Sequence, residues 1–300
     1  MAAWISSRIA RQGIHVARQA IHVALKAIHV ALKAVYVALK ARALVMLLAM
    51  FVPAAAAQGF DHAHAAWDAL VKKHVVLLDA GKASQVRYAA FARDRAELKA
   101  YLGSLSKVSE TEFGAWSREQ RMVFLINAYN AFTVEKILMR YPNLKSIRDF
   151  GIVFGNPWKD RFFTLLGRDS YLDQIEHEML RKPGAYNELR VHYALNCASI
   201  GCPMLREEAF TPEKLERQLE EQAVRFLSDR TRNRYSPQGA RLEVSQIFDW
   251  FKEDFGVRER YFARYAKLLA ETPGDQKAVA EARAALAFLE YDWSLNDVRK

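Results

Sequence analysis

Apolar residues recur at helical spacing in the part of the chain that follows residue 61. Between residues 62 and 107, Trp67, Leu70, Leu98 and Leu102 belong to series that repeat every three, four or seven positions. Such spacing places apolar side chains on one face of a helix. The pattern predicts two or three helices packed together in this region.

A longer segment, from Ser117 to Arg140, is apolar on nearly every side. Ser117, with Glu119 and Gln120 just after it, is typical of a capped helix start. Tyr141-Pro142 is a stop, because proline cannot continue a helix. The segment is therefore predicted to be the central, buried helix of the domain.

Strand patterns follow in the second half of the chain. Residues 161–172 predict a hairpin around Gly167-Arg168-Asp169, and residues 232–244 predict another. Residues 190–196 have the apolar richness of a buried strand, which leads into a Gly- and Pro-containing loop at 197–203. Further helices are predicted at 173–182, 211–229, 245–255, 258–270 and 278–289. The mixture predicts an α+β fold, a mostly helical single domain around a small β-sheet.

Residues 1–57 have a different composition, with seven basic residues and no acidic one. They end in an apolar run, Ala43 to Val52, followed by Pro53 and four alanines, which is typical of a signal peptide cut after Ala57. A seven-residue repeat, from Ile21 to Ala41, places His and Lys on one narrow stripe of a helix, so an uncleaved membrane anchor is the alternative. We expect a signal peptide at 1–57, a single domain at 58–300 and a periplasmic or secreted protein.

The net charge says little about partners once this leader is set aside. The chain carries 44 basic and 34 acidic residues, a formal charge of +10, and removal of the leader's seven positive charges leaves +3. No block of Lys and Arg interleaved with aromatic residues remains, so a nucleic-acid partner is not expected. The expected partner is a cell-envelope ligand or a protein whose identity the sequence leaves open.

Several short motifs follow one another along the domain. They are Ile126-Asn127-Ala128-Tyr129-Asn130-Ala131, Ser146-Ile147-Arg148-Asp149, Ile175-Glu176-His177, Ala194-Leu195-Asn196-Cys197-Ala198-Ser199-Ile200-Gly201-Cys202-Pro203, Ile247-Phe248-Asp249-Trp250 and Tyr291-Asp292-Trp293-Ser294-Leu295-Asn296. In content and order they resemble the family called domain of unknown function 547, of bacterial exported type. The resemblance implies a shared fold and no established reaction. One departure is Val86-Arg87-Tyr88, where the family usually has Val-Asp-Tyr.

Cys197 is the sharpest candidate for chemistry, because it lies where an apolar segment gives way to a loop. A thiol becomes a nucleophile when a neighbouring imidazole or cation favours its thiolate. His192 precedes Cys197 by five positions on the predicted strand, and an odd separation puts the two on opposite faces. His177 points away from the core stripe of its helix, beside Asp173 and Arg181. We therefore predict a dyad of Cys197 and His177, with His177 as general base and later general acid.

Asn127 and Asn130 share one face of the central helix. They either orient the imidazole or hold an oxyanion, as an amide does in Cys-His-Asn hydrolases, or they bind loop backbone and hold the Cys197 segment in place. Ser199 and Gly201 are candidate oxyanion donors or turn formers. The candidate binding residues are Ser199, Gly201, Tyr129 and Arg181. The third catalytic member stays open among Asp149, Asp160, Asp249 and Asp292.

No Gly-rich phosphate loop and no metalloprotease motif occurs after the leader, so neither a cofactor nor a metal is predicted. His62 and His64, with His74 further on, are residue types that bind metals, but we interpret His62-Ala63-His64 as exposed polar sequence near a terminus. The spacing of Cys197 and Cys202 is not a specific zinc signature.

Two functional classes remain. The first is a thiol-dependent hydrolase or acyltransferase that acts on peptide, amide or ester bonds, with an arrangement like that of papain or the transglutaminases. The second is a binding module without catalysis, in which Cys197 and Cys202 close a structural loop, since an oxidising compartment permits their disulfide.

Overall fold

The structure is a computed structural model, and it describes residues 18–19, 21–40, 59–151 and 155–298. The chain forms two compact units, Met1–Gly59 and Phe60–Lys300. The predicted apolar run of the signal peptide and its cleavage site at Ala57 lie outside the described residues.

In the first unit, the described helix α1 (Ile21–Lys40) has a mean hydropathy of 1.5, and its side chains are exposed. Twenty residues are long enough to cross a bilayer. Its length and composition are compatible with a signal peptide and with a membrane anchor.

The second unit is mostly helical. Its helices are α2 (Ala65–His74), α3 (Tyr88–Phe91), α4 (Arg95–Lys107), α5 (Glu110–Ala115), α6 (Arg118–Leu138), α7 (Val191–Ala194), α8 (Leu215–Ser228), α9 (Ile247–Trp250), α10 (Lys252–Phe255), α11 (Arg258–Ala263), α12 (Ala266–Leu269) and α13 (Pro273–Ala280). A π-helix spans Gln174–Leu180. Single 3₁₀ turns lie at Asp79–Gly81, Ala92–Asp94, Ile147–Gly151, Pro212–Lys214 and Pro237–Gly239.

The strands are short. They are β1 (Val75–Leu78), β2 (Ala83–Val86), β3 (Phe163–Leu165), β4 (Arg168–Ser170), β5 (Arg234–Ser236), β6 (Arg241–Ser245) and β7 (Ala285–Leu289). Antiparallel pairing joins β1 to β2, β3 to β4 and β5 to β6, while β7 lies parallel to β6. The predicted α+β class is confirmed, and within the described residues the strands form separate small sheets instead of one.

Helix α6 is the centre of the larger of two apolar clusters, as predicted. Ser117 and Gln120 form a reciprocal capping box at its start. Its side chains are buried along almost the whole length from Met122 to Leu138, so every face of the helix contacts the protein. This burial explains why the segment shows no polar stripe.

Both predicted hairpins are present, and the turn of the first explains its glycine. Leu166 and Gly167 connect β3 to β4 with φ angles of 51° and 76°. Two successive residues with positive φ match the right-handed twist of a tight hairpin, and glycine adopts that conformation without a steric penalty.

Three predicted elements are wrong. Residues 190–196 are not a strand, because Val191–Ala194 is a helical turn, α7. Short apolar runs do not distinguish a buried strand from a buried helical turn. Residues 75–86 contain the β1–β2 hairpin inside a region predicted as helical, and residues 285–289, predicted as the end of a helix, form β7 beside β6.

The histidines near residue 60 also differ from the prediction. His64 is buried, and its Nδ1 lies 2.7 Å from the Tyr101 hydroxyl. His74 is buried too, and its Nε2 lies 2.7 Å from a carboxylate oxygen of Asp94. The interpretation of His64 as exposed polar sequence is therefore wrong. Within the described residues, no group of three or more His, Cys, Asp or Glu side chains is arranged to hold a metal ion.

Candidate functional site

The segment before Cys197 is held by Asn130, which is buried on α6. The Asn130 amide nitrogen donates to the Ala194 carbonyl at 2.9 Å, and its oxygen accepts from the Asn196 backbone amide at 2.8 Å. One side chain therefore satisfies two backbone groups at the end of α7. Because a buried backbone group without a partner costs about 1–3 kcal/mol, these bonds fix the position from which the loop starts.

The loop itself is braced by two more asparagines. Asn196 donates to the Pro203 carbonyl at 2.8 Å and accepts from the Ala198 amide at 3.0 Å, which ties both ends of the loop together. Asn296 donates its side-chain amide to Asn196 at 3.3 Å and its backbone amide to Ala198 at 3.1 Å. The bracing holds Ala198 at a φ of 63°, in the left-handed region that residues with a Cβ rarely adopt.

The C-terminal segment runs along the other side of this loop. The Gly201 amide donates to the Asp292 carbonyl at 2.8 Å, and the Ile200 amide donates to the Ser294 carbonyl at 2.8 Å. A Cβ on Gly201 would lie 3.0 Å from the Asp292 nitrogen, so glycine is required for this close approach. The Gly201 amide is consequently occupied, which excludes it as the predicted oxyanion donor.

This pairing brings Tyr291 and Ser199 to the sulfur of Cys197. The Cys197 Sγ lies 3.0 Å from the Ser199 hydroxyl and 3.3 Å from the Tyr291 hydroxyl. The two hydroxyls lie 3.1 Å from each other. Because burial raises the pKa of Tyr291, its hydroxyl keeps its proton and can donate to the sulfur.

The two cysteines are free thiols whose pKa values shift in opposite directions. The hydrogen bond from the Cys202 thiol, together with those from Ser199 and Tyr291, outweighs desolvation and lowers the pKa of Cys197 to about 7. Burial raises the pKa of Cys202, whose sulfur accepts a hydrogen bond from the Cys197 backbone amide at 2.9 Å. Cys197 is therefore the thiol that ionises near neutral pH, and Cys202 is one of its donors.

The π-helix supplies a second wall, with Asp173 at its N-cap position and Glu176 and His177 within it. The predicted orientation of His177 is found: its side chain is 39% exposed, and its Nε2 lies 3.7 Å from an Asp173 carboxylate oxygen. Burial raises the pKa of both Asp173 and Glu176. The Tyr129 hydroxyl hydrogen-bonds to Glu176, which places this predicted binding residue on the same wall.

Arg181 determines which nitrogen of His177 carries the proton. Its guanidinium contacts the His177 Nδ1. Arginine has donors only, so Nδ1 accepts and the proton of the neutral ring lies on Nε2. His177 is thereby held as a hydrogen-bond donor, and the sulfur of Cys197 bonds to Ser199 and Tyr291 instead of to an imidazole.

His192 lies behind this wall, buried. Its Nε2 lies 2.7 Å from the Asp254 carboxylate, which also accepts from the Arg181 Nε at 2.6 Å. Burial lowers the pKa of His192, and the hydrogen bond from His192 lowers that of Asp254. His192 and Cys197 are not on opposite faces of a strand, as predicted, because Val191–Ala194 is a helical turn.

These walls enclose a cleft of about 190 Å³. Its polar lining includes Asp173, Glu176, His177, His192, Cys197 and Cys202. Its aromatic lining includes Tyr129, Trp158, Trp250, Phe251, Tyr291 and Trp293. The cleft is smaller than the roughly 300–1,000 Å³ of pockets for drug-sized ligands, and it suits a side chain or a small acyl group.

The remaining predicted residues do not line the cleft. Asn127 donates to the Phe210 carbonyl at 2.9 Å and accepts from the Phe210 amide at 3.1 Å, so it holds a different backbone segment. The four aspartates considered as a third member have other partners: Asp149 with the Lys145 and Ser146 amides, Asp160 with Lys136, Asp249 with Arg258, and Asp292 with the Ser294 amide. Asp254 and Asp173 are the carboxylates beside the cleft's histidines.

The comparison with family models covers the part of the chain that contains α6, the π-helix, the Cys197 loop and most of α8. Residues 113–227 match the model described as protein of unknown function, DUF547. This segment is the part of the chain that belongs to the DUF547 family. The matched residues supply Cys197 and His177, while Asp254, Tyr291 and Trp293 follow them in sequence. No curated protein and no solved structure matches the chain.

Proposed function

We propose that this DUF547 protein is a thiol-dependent hydrolase or acyltransferase that acts on peptide, amide or ester bonds in the cell envelope, with Cys197 as nucleophile. The observation that carries the proposal is the environment of the Cys197 sulfur. Ser199, Tyr291 and Cys202 hydrogen-bond to it and lower its pKa to about 7, at the edge of a cleft. A thiol with this pKa is about half thiolate at neutral pH.

The nucleophile in this mechanism forms without an imidazole base. The hydroxyls of Ser199 and Tyr291 stabilise the thiolate directly, and His177 does not contact the sulfur through a hydrogen bond. The role of His177 as general base is therefore replaced by a donor role through its Nε2–H. That donor stabilises negative charge as it develops on the substrate.

The attack proceeds as ordinary acyl transfer. The sulfur forms a bond to the carbonyl carbon, and the π electrons of the carbonyl move to its oxygen. As the sulfur loses its charge, the Tyr291 hydroxyl becomes free to donate to that oxygen. Collapse expels the amine or alcohol, which takes a proton from water in the open cleft. Water or another nucleophile then releases the acyl group from Cys197.

A binding module without catalysis is the second candidate. The observation that favours it is the aromatic lining, which gives the cleft a surface for a ligand whether or not the thiol reacts. In such a module the hydrogen bonds of Asn130 and Asn196 hold the Cys197 loop in place of a disulfide, because both cysteines are free thiols.

Alkylation of the thiols as a function of pH tests the proposal. The rate of iodoacetamide modification, assigned to each cysteine by peptide mass spectrometry, should rise for Cys197 with a midpoint near pH 7, while Cys202 stays protected. Cys197→Ser should abolish turnover of thioester, ester and peptide substrates without loss of folding. A Cys197 that reacts only after unfolding, or a Ser variant with normal turnover, would contradict the proposal.

We also propose that residues 1–57 are a leader that directs export and that the functional domain begins at residue 58. The support is the apolar helix α1 and the boundary between the two units at Gly59 and Phe60. Intact-mass measurement of the protein recovered from the periplasm of an expression host should give an N-terminus near Gln58. Recovery of the full-length chain in the membrane fraction would instead establish an anchor.

A further inference from the structure

Aromatic rings form a continuous surface at the mouth of the Cys197 cleft. The rings of Tyr291 and Trp293 have centroids 4.6 Å apart, and Trp250 lies 5.6 Å from Trp293 in a stacked arrangement. Trp158 meets Trp293 edge to face at 5.8 Å. Trp250 is 42% exposed, so this surface is open to a ligand. The faces of such rings carry partial negative charge and attract cations.

Carboxyl groups form another part of the lining. Asp173 and Glu176 both line the cleft, together with the Cys197 thiol that ionises near neutral pH. Among the described residues that line the cleft there is no lysine or arginine. Two guanidiniums lie near the lining: Arg181 pairs with Asp254 and lies over the Phe251 ring at 4.5 Å, and Arg148 lies over the Trp293 ring at 5.1 Å. The cleft thus combines aromatic rings and carboxyls, and among the described residues no cation lies over the rings of Trp158, Trp250 or Tyr291.

From this complementarity we propose that the cleft binds a primary alkylammonium group, such as the side chain of a lysine. The group lies between the aromatic rings at the mouth of the cleft and the Asp173 and Glu176 carboxyls. A volume of about 190 Å³ accepts a four-carbon stem with an ammonium head and excludes a large cofactor. The carboxyls pair with the charge, and the rings contact the methylene stem and the ammonium face.

The bound group has a chemical role that rests on the proposed function. Asp173 or Glu176 takes one proton from the ammonium, and the free amine attacks the carbonyl carbon of the Cys197 thioester. The carbon–sulfur bond breaks, an amide forms, and the second amine proton goes to the departing thiolate. Transfer to a lysine would then replace hydrolysis. Binding of the ammonium itself requires none of these steps.

A pair of ligands that share a four-carbon stem and differ in the ammonium group tests the binding. Calorimetric titration of the full-length Cys197→Ala variant, which has no reactive thiol, compares Nα-acetyl-lysine N-methylamide with Nα-acetyl-norleucine N-methylamide. The lysine ligand should bind at least about tenfold more tightly at pH 8. Equal affinity, or tighter binding of the norleucine ligand, would overturn the proposal.

Variants that remove one charge test whether the Asp173 and Glu176 carboxyls bind the ammonium. Asp173→Asn and Glu176→Gln should each weaken lysine binding about tenfold while norleucine binding stays the same. Glu178→Gln is the matched control, because Glu178 lies on the same helix but bonds to Tyr171 outside the cleft. If circular dichroism shows that one of the two variants does not fold, lysine binding by the other variant decides the test. Unchanged lysine binding in the folded variants would contradict the proposal.

The pH dependence gives an independent readout. Lysine binding should weaken as the pH falls through the raised pKa values of Asp173 and Glu176, and norleucine binding should not change. The charged groups that face Asp173 are Lys159, His177 and Glu178, and those that face Glu176 are His177, Arg181 and Asp173.

The binding site and the acyl chemistry can fail separately. If the protein binds the lysine ligand but its Cys197 does not react with iodoacetamide, the proposed acyl transfer is rejected and the ammonium site is retained.

Discussion

The hydroxyl of Tyr291 lies 3.3 Å from the sulfur of Cys197, although 94 positions separate the two residues along the chain. The contact exists because residues 292–296 pair with the backbone of the Cys197 loop. Strand-like backbone pairing therefore places Tyr291 beside the sulfur. The pKa of Cys197 consequently depends on the last ten residues that the structure describes.

Replacement of Tyr291 by phenylalanine should raise the pKa of Cys197, because the thiolate loses one hydrogen-bond donor. At pH 7 we expect the rate of iodoacetamide modification to fall about tenfold or more, because one hydrogen bond to a charged group is worth about 1.5–3 kcal/mol. Tyr171→Phe is the control, since Tyr171 bonds to Glu178 and not to the thiol. An unchanged midpoint in the Tyr291 variant would show that its hydroxyl does not act on the sulfur.

Asn130→Ala and Asn127→Ala form a matched pair. Each removes a buried amide that bonds one carbonyl and one amide of the backbone, so each should lower the free energy of unfolding by about 2–4 kcal/mol in urea titrations. Only Asn130 holds the residues that lead into Cys197. Loss of thiol reactivity at pH 7 is therefore expected for the Asn130 variant alone, and an equal loss in both would refute this division of roles.

Gly201→Ala should destabilise the protein by about 1–3 kcal/mol, because the new methyl group meets the backbone of Asp292 at 3.0–3.1 Å. The displaced backbone also carries Tyr291, so Cys197 should react more slowly at neutral pH. Gly103→Ala provides the comparison. A Cβ there meets nothing within 4 Å, and in helix α4 it should stabilise by about 0.5–1 kcal/mol. Thermal unfolding measures both changes.

The buried His64 should make stability depend on pH. Burial lowers the pKa of His64 to about 3 from 6.5, so below pH 6.5 the unfolded chain takes up a proton that the folded protein refuses. This group alone should lower the free energy of unfolding by up to about 1.4 kcal/mol per pH unit between pH 6.5 and pH 3. His64→Gln should flatten the slope measured by urea unfolding at pH 7 and pH 5.

Tyr101→Phe separates titration from packing at this position. It removes the hydroxyl that bonds to His64 Nδ1 but leaves the imidazole buried. We expect lower stability at both pH values with the slope retained. A slope that disappears with Tyr101→Phe and persists with His64→Gln would assign the pH dependence to another group.

Much of the architecture could be predicted locally. The capped helix α6, the helix that begins at Pro212 and both hairpins depend on caps, turns and periodicity within a few residues of one another. The site was predicted in part: Cys197 and His177 do line one cleft, and Asn130 does hold the Cys197 segment. Helix α7 was missed, because a short, mostly apolar run satisfies either a strand or a helical turn.

The amino-acid sequence by itself determined the α+β class, the buried central helix, the loop that carries the Cys197 thiol and the apolar, basic character of residues 1–57. Only the tertiary structure decided which groups act on that thiol. Tyr291 reaches Cys197 because the C-terminal segment pairs with the Cys197 loop, and Asp254 of α10 reaches His192, contacts between residues far apart in sequence. Local pattern cannot encode such contacts, because hydrogen bonds and burial depend on distance in space, and the pKa of Cys197 depends on both.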